Sequence, residues 1–159
     1  MSGSQYPPIY AGQFPDADTL QALAAMVAWK TAAATGRTST TLVVDPDLQL
    51  TLEADATYDI TADVNYAGTG GMAFGWTIPS GAGGAYGASY NLSGTGSGTY
   101  AYAWTATETA GTGTNGIKIG GVLWTGSSGG TFGFNWGAGT SGDSVQTGAG
   151  GVLRARRIA

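Results

Sequence analysis

The sequence contains no cysteine and no histidine in its 159 residues. Without cysteine there is no disulfide framework, no thiolate nucleophile and no zinc site built on thiolates. Without histidine there is no Ser-His-Asp triad and no imidazole base. Only carboxylate chemistry or a lysine base remains, and we predict a protein that is not an enzyme and needs no metal ion or cofactor.

Charged and large aliphatic residues are also scarce. Six Lys and Arg against ten Asp and Glu give a net charge of −4, and Leu, Ile, Val and Phe together number only 26. Such a low aliphatic content goes with disorder only when the net charge is high. Five tryptophans and eight tyrosines supply large apolar surface instead. The composition predicts one folded domain with an aromatic core, and the few charges favour a homo-oligomer, for which we expect a trimer.

The N-terminal residues lack both the basic region and the apolar core of a signal peptide. The apolar stretch over residues 20–34 is too short to span a membrane and contains Lys30. We therefore expect synthesis in the cytoplasm without a signal peptide, and no membrane partner.

Residues 1–36 are predicted to form an anchoring and oligomerisation segment. Three prolines favour an extended arm over residues 1–17. A short α-helix is expected over residues 18–34, because Asp18 and Gln21 form a capping-box pattern and Gly36 is suited to end a helix. The predicted attachment residues are the apolar side chains of this segment: Tyr6, Ile9, Tyr10, Phe14, Leu20, Leu23, Met26, Val27 and Trp29.

From residue 38 onward, apolar and polar residues alternate with a period of two, which is typical of half-buried antiparallel strands. Strong alternation covers residues 48–53, 58–66, 72–78, 100–105 and 132–137, with weaker candidates at 39–44, 85–92, 117–124 and 151–158. Short strands separated by glycine-rich turns favour a jelly-roll-like β-sandwich over residues 37–159. The predicted core aromatics are Phe74, Trp76, Tyr102, Trp104, Phe134 and Trp136.

Six of the ten acidic residues lie within residues 45–63. Asp45 and Asp47 could supply two oxygen ligands to calcium, but their spacing is not that of an EF-hand, and a solvated acidic turn is the preferred interpretation. Asp59 and Asp63 lie on one face of a predicted strand, about 13 Å apart. That separation exceeds the distance between the paired carboxylates of a glycosidase.

Arg154, Arg156 and Arg157 form a basic cluster at the end of the sequence. Such a cluster can contact nucleic acid, but no basic stripe accompanies it in this acidic chain. We expect these arginines to pair with the Asp-rich strands or a neighbouring subunit, and we expect no nucleic-acid partner. The alternating pattern does not assign Trp29 and Trp124 to the core as it does the other tryptophans. Stacking of these two side chains on sugars therefore remains an alternative.

Several segments resemble small virion proteins of tailed phages and prophages of high-GC Gram-positive bacteria. They are PPIYAGQ, KTAAATGRTSTTLVVDPDLQLTLEADATYDITADVNY, FGWTIPSGA, GGVLWTGSSGGTFGFNWGAGTSG and GVLRARRIA, which together cover almost the whole chain. In NWGAGTSG the chain departs from the pattern, since such proteins tend to carry a glutamine after Trp-Ala.

The resemblance implies a non-enzymatic protein on the virion surface, with the major capsid protein or a tail component as its partner. Capsid decoration, or a head fibre, is the first expectation because the chain is short and has no long fibre shaft. The alternatives are a minor tail or receptor-binding protein, a host surface glycan then being a further partner, and a carbohydrate-binding module.

Overall fold

The computed structural model describes residues 24–91, 97–112 and 115–159. These residues form a mainly β fold with antiparallel sheets, and they contain no helix. The strands are β1 (Met26–Trp29), β2 (Val43–Leu52), β3 (Thr57–Gly68), β4 (Met72–Thr77), β5 (Gly83–Asn91), β6 (Ser97–Ala103), β7 (Glu108–Ala110), β8 (Asn115–Trp124), β9 (Gly130–Ala138), β10 (Val145–Thr147) and β11 (Val152–Arg157).

The strands are divided between two sheets. The larger sheet has seven strands in the order β1-β11-β3-β8-β5-β6, with β10 also paired to β3. The smaller sheet has four strands in the order β2-β9-β4-β7. Each pairing is antiparallel, and β3, the longest strand, pairs with β8 over ten residues without a shift in register.

The core lies between the inner faces of the two sheets. In β3 the buried side chains are Tyr58, Ile60, Ala62, Val64 and Tyr66, at every second position. This spacing follows from strand geometry, because successive side chains point to opposite faces of a sheet. The outward positions from Thr57 to Asn65 carry Thr, Asp and Asn, and these remain at least partly exposed.

An aromatic cluster joins the two sheets. Trp76 of β4 stacks on Phe132 of β9 at 4.9 Å between ring centroids, within the smaller sheet. Its edge contacts reach Trp104 at 5.1 Å and Tyr86 of β5 at 6.0 Å, on the side of the larger sheet. These contacts across the interior make the fold sandwich-like, with aromatic rings filling space that few aliphatic residues are present to fill.

Five of the six predicted core aromatics are buried, namely Phe74, Trp76, Trp104, Phe134 and Trp136. Tyr102 is only partly buried and packs against the edge of the core. It belongs to the outer strand β6, and its ring centroid lies 5.6 Å from that of Tyr86 in β5.

The predicted helix over residues 18–34 is wrong for its described part. Met26–Trp29 is a strand that pairs with β11, with Met26 opposite Ala155 and Trp29 opposite Val152. The sequence of this segment fits an alternating pattern as well as a helical one. In the structure its burial alternates: Met26 and Ala28 are partly buried and pack against the core, whereas Val27 and Trp29 are exposed. Backbone pairing with β11 therefore overrides the local preference for helix. Residues 18–23 lie outside the described residues.

The segment after β1 also belongs to the β-domain. Lys30, Ala34 and Arg37 donate backbone hydrogen bonds to the carbonyls of Gly151, Thr147 and Val145 respectively. The described residues 24–36 are thus part of the larger sheet and its border, and residue 36 does not divide them from the β-domain. The predicted extended arm, residues 1–17, lies outside the described residues.

Candidate functional site

The predicted attachment residues lie partly within the described chain. Val27 and Trp29 are 42% and 62% exposed and project from β1, an edge strand of the larger sheet. Met26 is partly buried on the opposite side of the strand. The remaining predicted residues, Tyr6, Ile9, Tyr10, Phe14, Leu20 and Leu23, lie outside the described residues. The described part of this set is therefore a pair of exposed apolar side chains at one edge of the larger sheet.

A buried ion-pair cluster lies beside that edge. Lys30 follows β1 directly, and its Nζ is 3.0 Å from Oδ1 of Asp45 and 2.7 Å from Oδ2 of Asp47. Lys30 and Asp45 are buried, whereas the side chain of Asp47 is 46% exposed. The cation that lies between these two aspartates is thus an ammonium group of the chain itself, in the place that a calcium ion would need.

The carboxylate of Asp45 also joins the two sheets. Its Oδ2 accepts hydrogen bonds from Nε1 of Trp136 in β9, at 3.0 Å, and from the hydroxyl of Thr147 in β10, at 2.9 Å. Its Oδ1 accepts the backbone N–H of Asp47 at 3.0 Å as well as the ammonium of Lys30. Four donors therefore satisfy one buried carboxylate, which is the arrangement that makes burial of a charge tolerable.

Arg37 covers Trp136 next to this cluster. The guanidinium lies 3.7 Å from the centroid of the Trp136 ring, a cation–π contact. Its NH1 atom donates to the carbonyls of Val43 and Trp136, at 2.7 Å and 2.8 Å. The guanidinium thus links the loop after β1 to β2 and β9.

The surroundings of Asp45 and Lys30 shift both pKa values in the direction that keeps the pair ionised. Burial raises the pKa of Asp45, but hydrogen bonds from the Asp47 backbone, Lys30 and Thr147 outweigh burial, and the pKa lies below its ordinary value of 3.8. Burial lowers the pKa of Lys30, but its hydrogen bonds to Asp47 and Asp45 outweigh burial, and the pKa lies above its ordinary value of 10.5.

These shifts predict a stability that depends on pH. The pKa of Asp45 is lower in the folded protein than in the unfolded protein. Asp45 therefore stabilises the fold at pH values above its unfolded-state pKa, and this stabilisation is lost as the pH falls through its folded-state pKa. The pKa of Lys30 is higher in the folded protein, so Lys30 stabilises the fold at pH values below its unfolded-state pKa, and this stabilisation is lost as the pH rises through its folded-state pKa. We expect the urea midpoint to fall at pH values below about 4.

The variant Asp45→Asn provides the control, because its side chain does not titrate. Urea unfolding of both proteins between pH 7 and pH 2 should show a smaller loss of stability for the variant on acidification. Parallel curves for the two proteins would show that other carboxylates cause the acid sensitivity.

The outer face of the larger sheet carries exposed ion pairs between neighbouring strands, namely Arg156 with Asp59, and Arg154 and Lys118 with Asp63. A further pair joins Arg157, the last residue of β11, to Glu53 in the loop after β2. The predicted pairing of the final arginines with the acidic strand is confirmed. Asp59 and Asp63 both face outward from β3, and each is already engaged by a cation on this open face.

Trp124, at the end of β8, is an exposed indole on the same outer face, 53% exposed. It lies between Thr57 of β3 and Gly83 of β5 in the sheet register. A Cβ at Gly83 would come within 2.9 Å of three atoms of the indole ring, so a larger residue there would force the ring to move. The glycine therefore lets the ring lie against the backbone of β5.

The described residues bring together no group of three or more His, Cys, Asp or Glu side chains that could hold a metal ion. Within the same part of the chain, no helix has the length and apolar character needed to cross a membrane.

The sequence analysis missed the cluster around Lys30 and Asp45. One signal was present: Lys30 is the single charged residue within the apolar stretch 20–34, so its burial would require a carboxylate partner. The identity of that partner could not be read from the sequence, because Asp45 is fifteen residues away on a different sheet.

Comparison of the sequence with models of known protein families gives no match. A comparison with curated proteins also finds no match.

Proposed function

We propose that this protein is a non-enzymatic structural protein of a tailed-phage virion, displayed on the particle surface as a capsid decoration or head-fibre protein. Two arguments support the proposal. One is the resemblance of the sequence to small virion proteins, which extends over almost the whole chain. The other is the order of the strands, which favours a jelly roll and supports the proposal together with that resemblance.

The strand order corresponds to a long hairpin that has been rolled up. If the hairpin of β5 and β6 and the three-residue strand β10 are set aside, eight strands remain, which in chain order are β1, β2, β3, β4, β7, β8, β9 and β11. In this series the first strand pairs with the eighth, the second with the seventh, the third with the sixth and the fourth with the fifth. Further pairs join β11 to β3 and β9 to β4, which completes two four-stranded sheets. This pairing order supports the proposal of a jelly roll, an architecture found in viral capsid proteins and lectins.

The hairpin of β5 and β6 is an addition to this eight-strand arrangement. It adds two strands to the larger sheet beside β8. Since a fold can serve many functions, the jelly roll supports a virion role only together with the sequence resemblance. A homotrimer remains our proposal for the oligomeric state, with closed symmetry covering part of a surface that is poor in charge.

We further propose that residues 1–36 attach the protein to the major capsid protein or to a tail component. The described part of the segment supports this, because Val27 and Trp29 project from the edge strand into solvent. Buried aromatic anchors commonly dominate binding energy at protein interfaces.

Labelling of purified particles tests the proposed function. Gold-labelled antibodies against the protein, imaged on gradient-purified phage from a producing strain, should mark the capsid surface. Label on the tail would favour a minor tail or receptor-binding protein instead. Absence of the protein from purified particles, checked by peptide mass spectrometry, would contradict a structural role in the virion.

Deletion of residues 2–14 tests the attachment segment. The shortened protein should fold, as judged by its thermal melt, yet fail to bind particles that lack the wild-type protein. Full occupancy by the shortened protein would show that the anchor lies elsewhere.

A carbohydrate-binding role is the alternative outside the virion class, and the observation that favours a sugar ligand is the exposed indole of Trp124.

A further inference from the structure

We propose that the outer face of the larger sheet around Trp124 binds a neutral oligosaccharide. A display protein needs no ligand on this face, so the inference goes beyond the proposed function. The two proposals can be tested independently, because sugar binding can be measured on the purified chain without any virion.

Trp124 presents a flat aromatic surface. A Cβ built on Gly83 would lie 2.9 Å from each of Cε2, Cζ2 and Nε1, which places the glycine against the flat of the ring rather than its edge. With one face of the indole resting on the backbone and 53% of the residue exposed, the opposite face is left to solvent. An exposed aromatic plane of this kind can stack on the apolar C–H face of a sugar ring.

The floor beside the indole consists of the outward positions of β8 and β5, which carry small residues apart from Val122. Val122 is 41% exposed and lies between Trp124 and Gly120 on β8. Ala85 of β5 lies opposite Val122, and Gly87 lies directly opposite Gly120. A Cβ added at Gly120 would meet no atom within 4 Å, so the space above it is open. Gly120 and Trp124 are four residues apart on one strand, about 13 Å. This length accommodates more than one sugar ring lying along the strand.

Polar groups border the floor on its other side. In the register of β3 and β8, Thr57 lies opposite Trp124 and Asp59 lies opposite Val122. The Asp59 carboxylate is 3.1 Å from NH2 of Arg156, and both side chains are about half exposed. These groups lie on the strand next to the one that carries the indole, where they can offer hydrogen-bond donors and acceptors to sugar hydroxyls.

The charges on this border favour a neutral ligand. Asp59 and Arg156 neutralise each other, so the row beside Trp124 has no net charge to attract a polyanion or polycation. The apolar surface is also narrow: Trp124 and Val122 lie opposite Gly83 and Ala85 on the β5 side, and opposite the polar Thr57 and Asp59 on the β3 side. A protein partner would need a wider apolar centre for its interface. A hydroxyl-rich ligand with one apolar face fits both conditions.

Native gel electrophoresis of the full chain through gels containing dextran, galactomannan or xylan tests the proposal. We expect at least one of these neutral polysaccharides to slow the protein. Trp124→Ala should weaken the interaction at least about tenfold, whereas Trp124→Phe, which keeps an aromatic plane, should retain part of it. Gly120→Leu should also weaken binding, because its side chain would fill the floor while leaving the indole in place.

Val43→Ala serves as the control, since Val43 is 49% exposed but lies on the smaller sheet. It should bind as the wild type does, and thermal melts should show that every variant is folded. Unchanged migration in all three gels would overturn the proposal, and so would wild-type binding by Trp124→Ala. Self-association in sedimentation experiments that Trp124→Ala abolishes would assign this face to a second copy of the chain instead.

Discussion

Replacement of Asp45 by alanine is expected to lower the free energy of unfolding by about 3–5 kcal/mol, the cost of breaking a buried ion pair by removing one partner. The variant would leave the buried ammonium of Lys30 with only the half-exposed Asp47 as its partner. It would also remove the acceptor for Nε1 of Trp136 and for the hydroxyl of Thr147, both of which lie in the interior. Equilibrium urea unfolding at pH 7 measures the loss.

An exposed ion pair of the same protein provides the matched control. Asp59→Ala breaks the pair with Arg156, whose side chains are 42% and 52% exposed, and should cost less than about 1 kcal/mol. Combining Lys30→Met with Asp45→Leu should recover part of the Asp45→Ala loss, because no unpaired charge then remains buried. Equal effects of Asp45→Ala and Asp59→Ala would contradict the role assigned to the buried cluster.

Replacement of Trp76 by alanine is expected to cost about 3–5 kcal/mol, the usual range for truncation of a buried aromatic side chain. Trp76 stacks on Phe132 and meets Trp104 and Tyr86 edge-on, so its loss would open a cavity at the contact between the two sheets. The core around it is built largely of other rings, whose rigid shapes cannot collapse easily into the space. A thermal melt of the variant should show a markedly lower midpoint.

Trp124→Ala is the control for this second prediction, because it removes the same side chain from an exposed position. It should change stability by no more than about 0.5–1 kcal/mol. An unchanged midpoint for Trp76→Ala would mean that the ring does not help to hold the sheets together.

Trp76→Phe should be tolerated better than Trp76→Ala. Among the described residues, Nε1 of Trp76 is buried without a hydrogen-bond partner, so loss of the N–H group leaves no acceptor unsatisfied. The phenyl ring keeps much of the contact with Phe132, and only the volume difference between the rings is lost.

Alternation in the sequence was enough to locate most of the strands. In β3 the inward series from Tyr58 to Tyr66 is the apolar half of a strict period of two, and each of its members is buried. The same reasoning places Phe132, Phe134 and Trp136 of β9 on one buried face. Strands of three residues were not predicted, because β7 and β10 are too short for a period to be visible.

The segment before residue 36 shows where local reasoning failed. Residues 26–29 satisfy a helical and an alternating pattern equally well, and the unpaired edge of β11 decides between them by offering backbone hydrogen bonds. No local signal marks such an edge, since β11 lies more than a hundred residues further along the chain.

By itself, the sequence determined the β class, the inward and outward faces of the main strands and the aromatic composition of the core. These properties depend on the period of two and on residue type, both of which are local. Only the tertiary structure decided the order of strands in the two sheets, the burial of Lys30 against Asp45 and the position of Trp124 over Gly83. Each of these depends on the pairing of distant segments, and that pairing is selected by the packing of the whole core and the satisfaction of buried polar groups together.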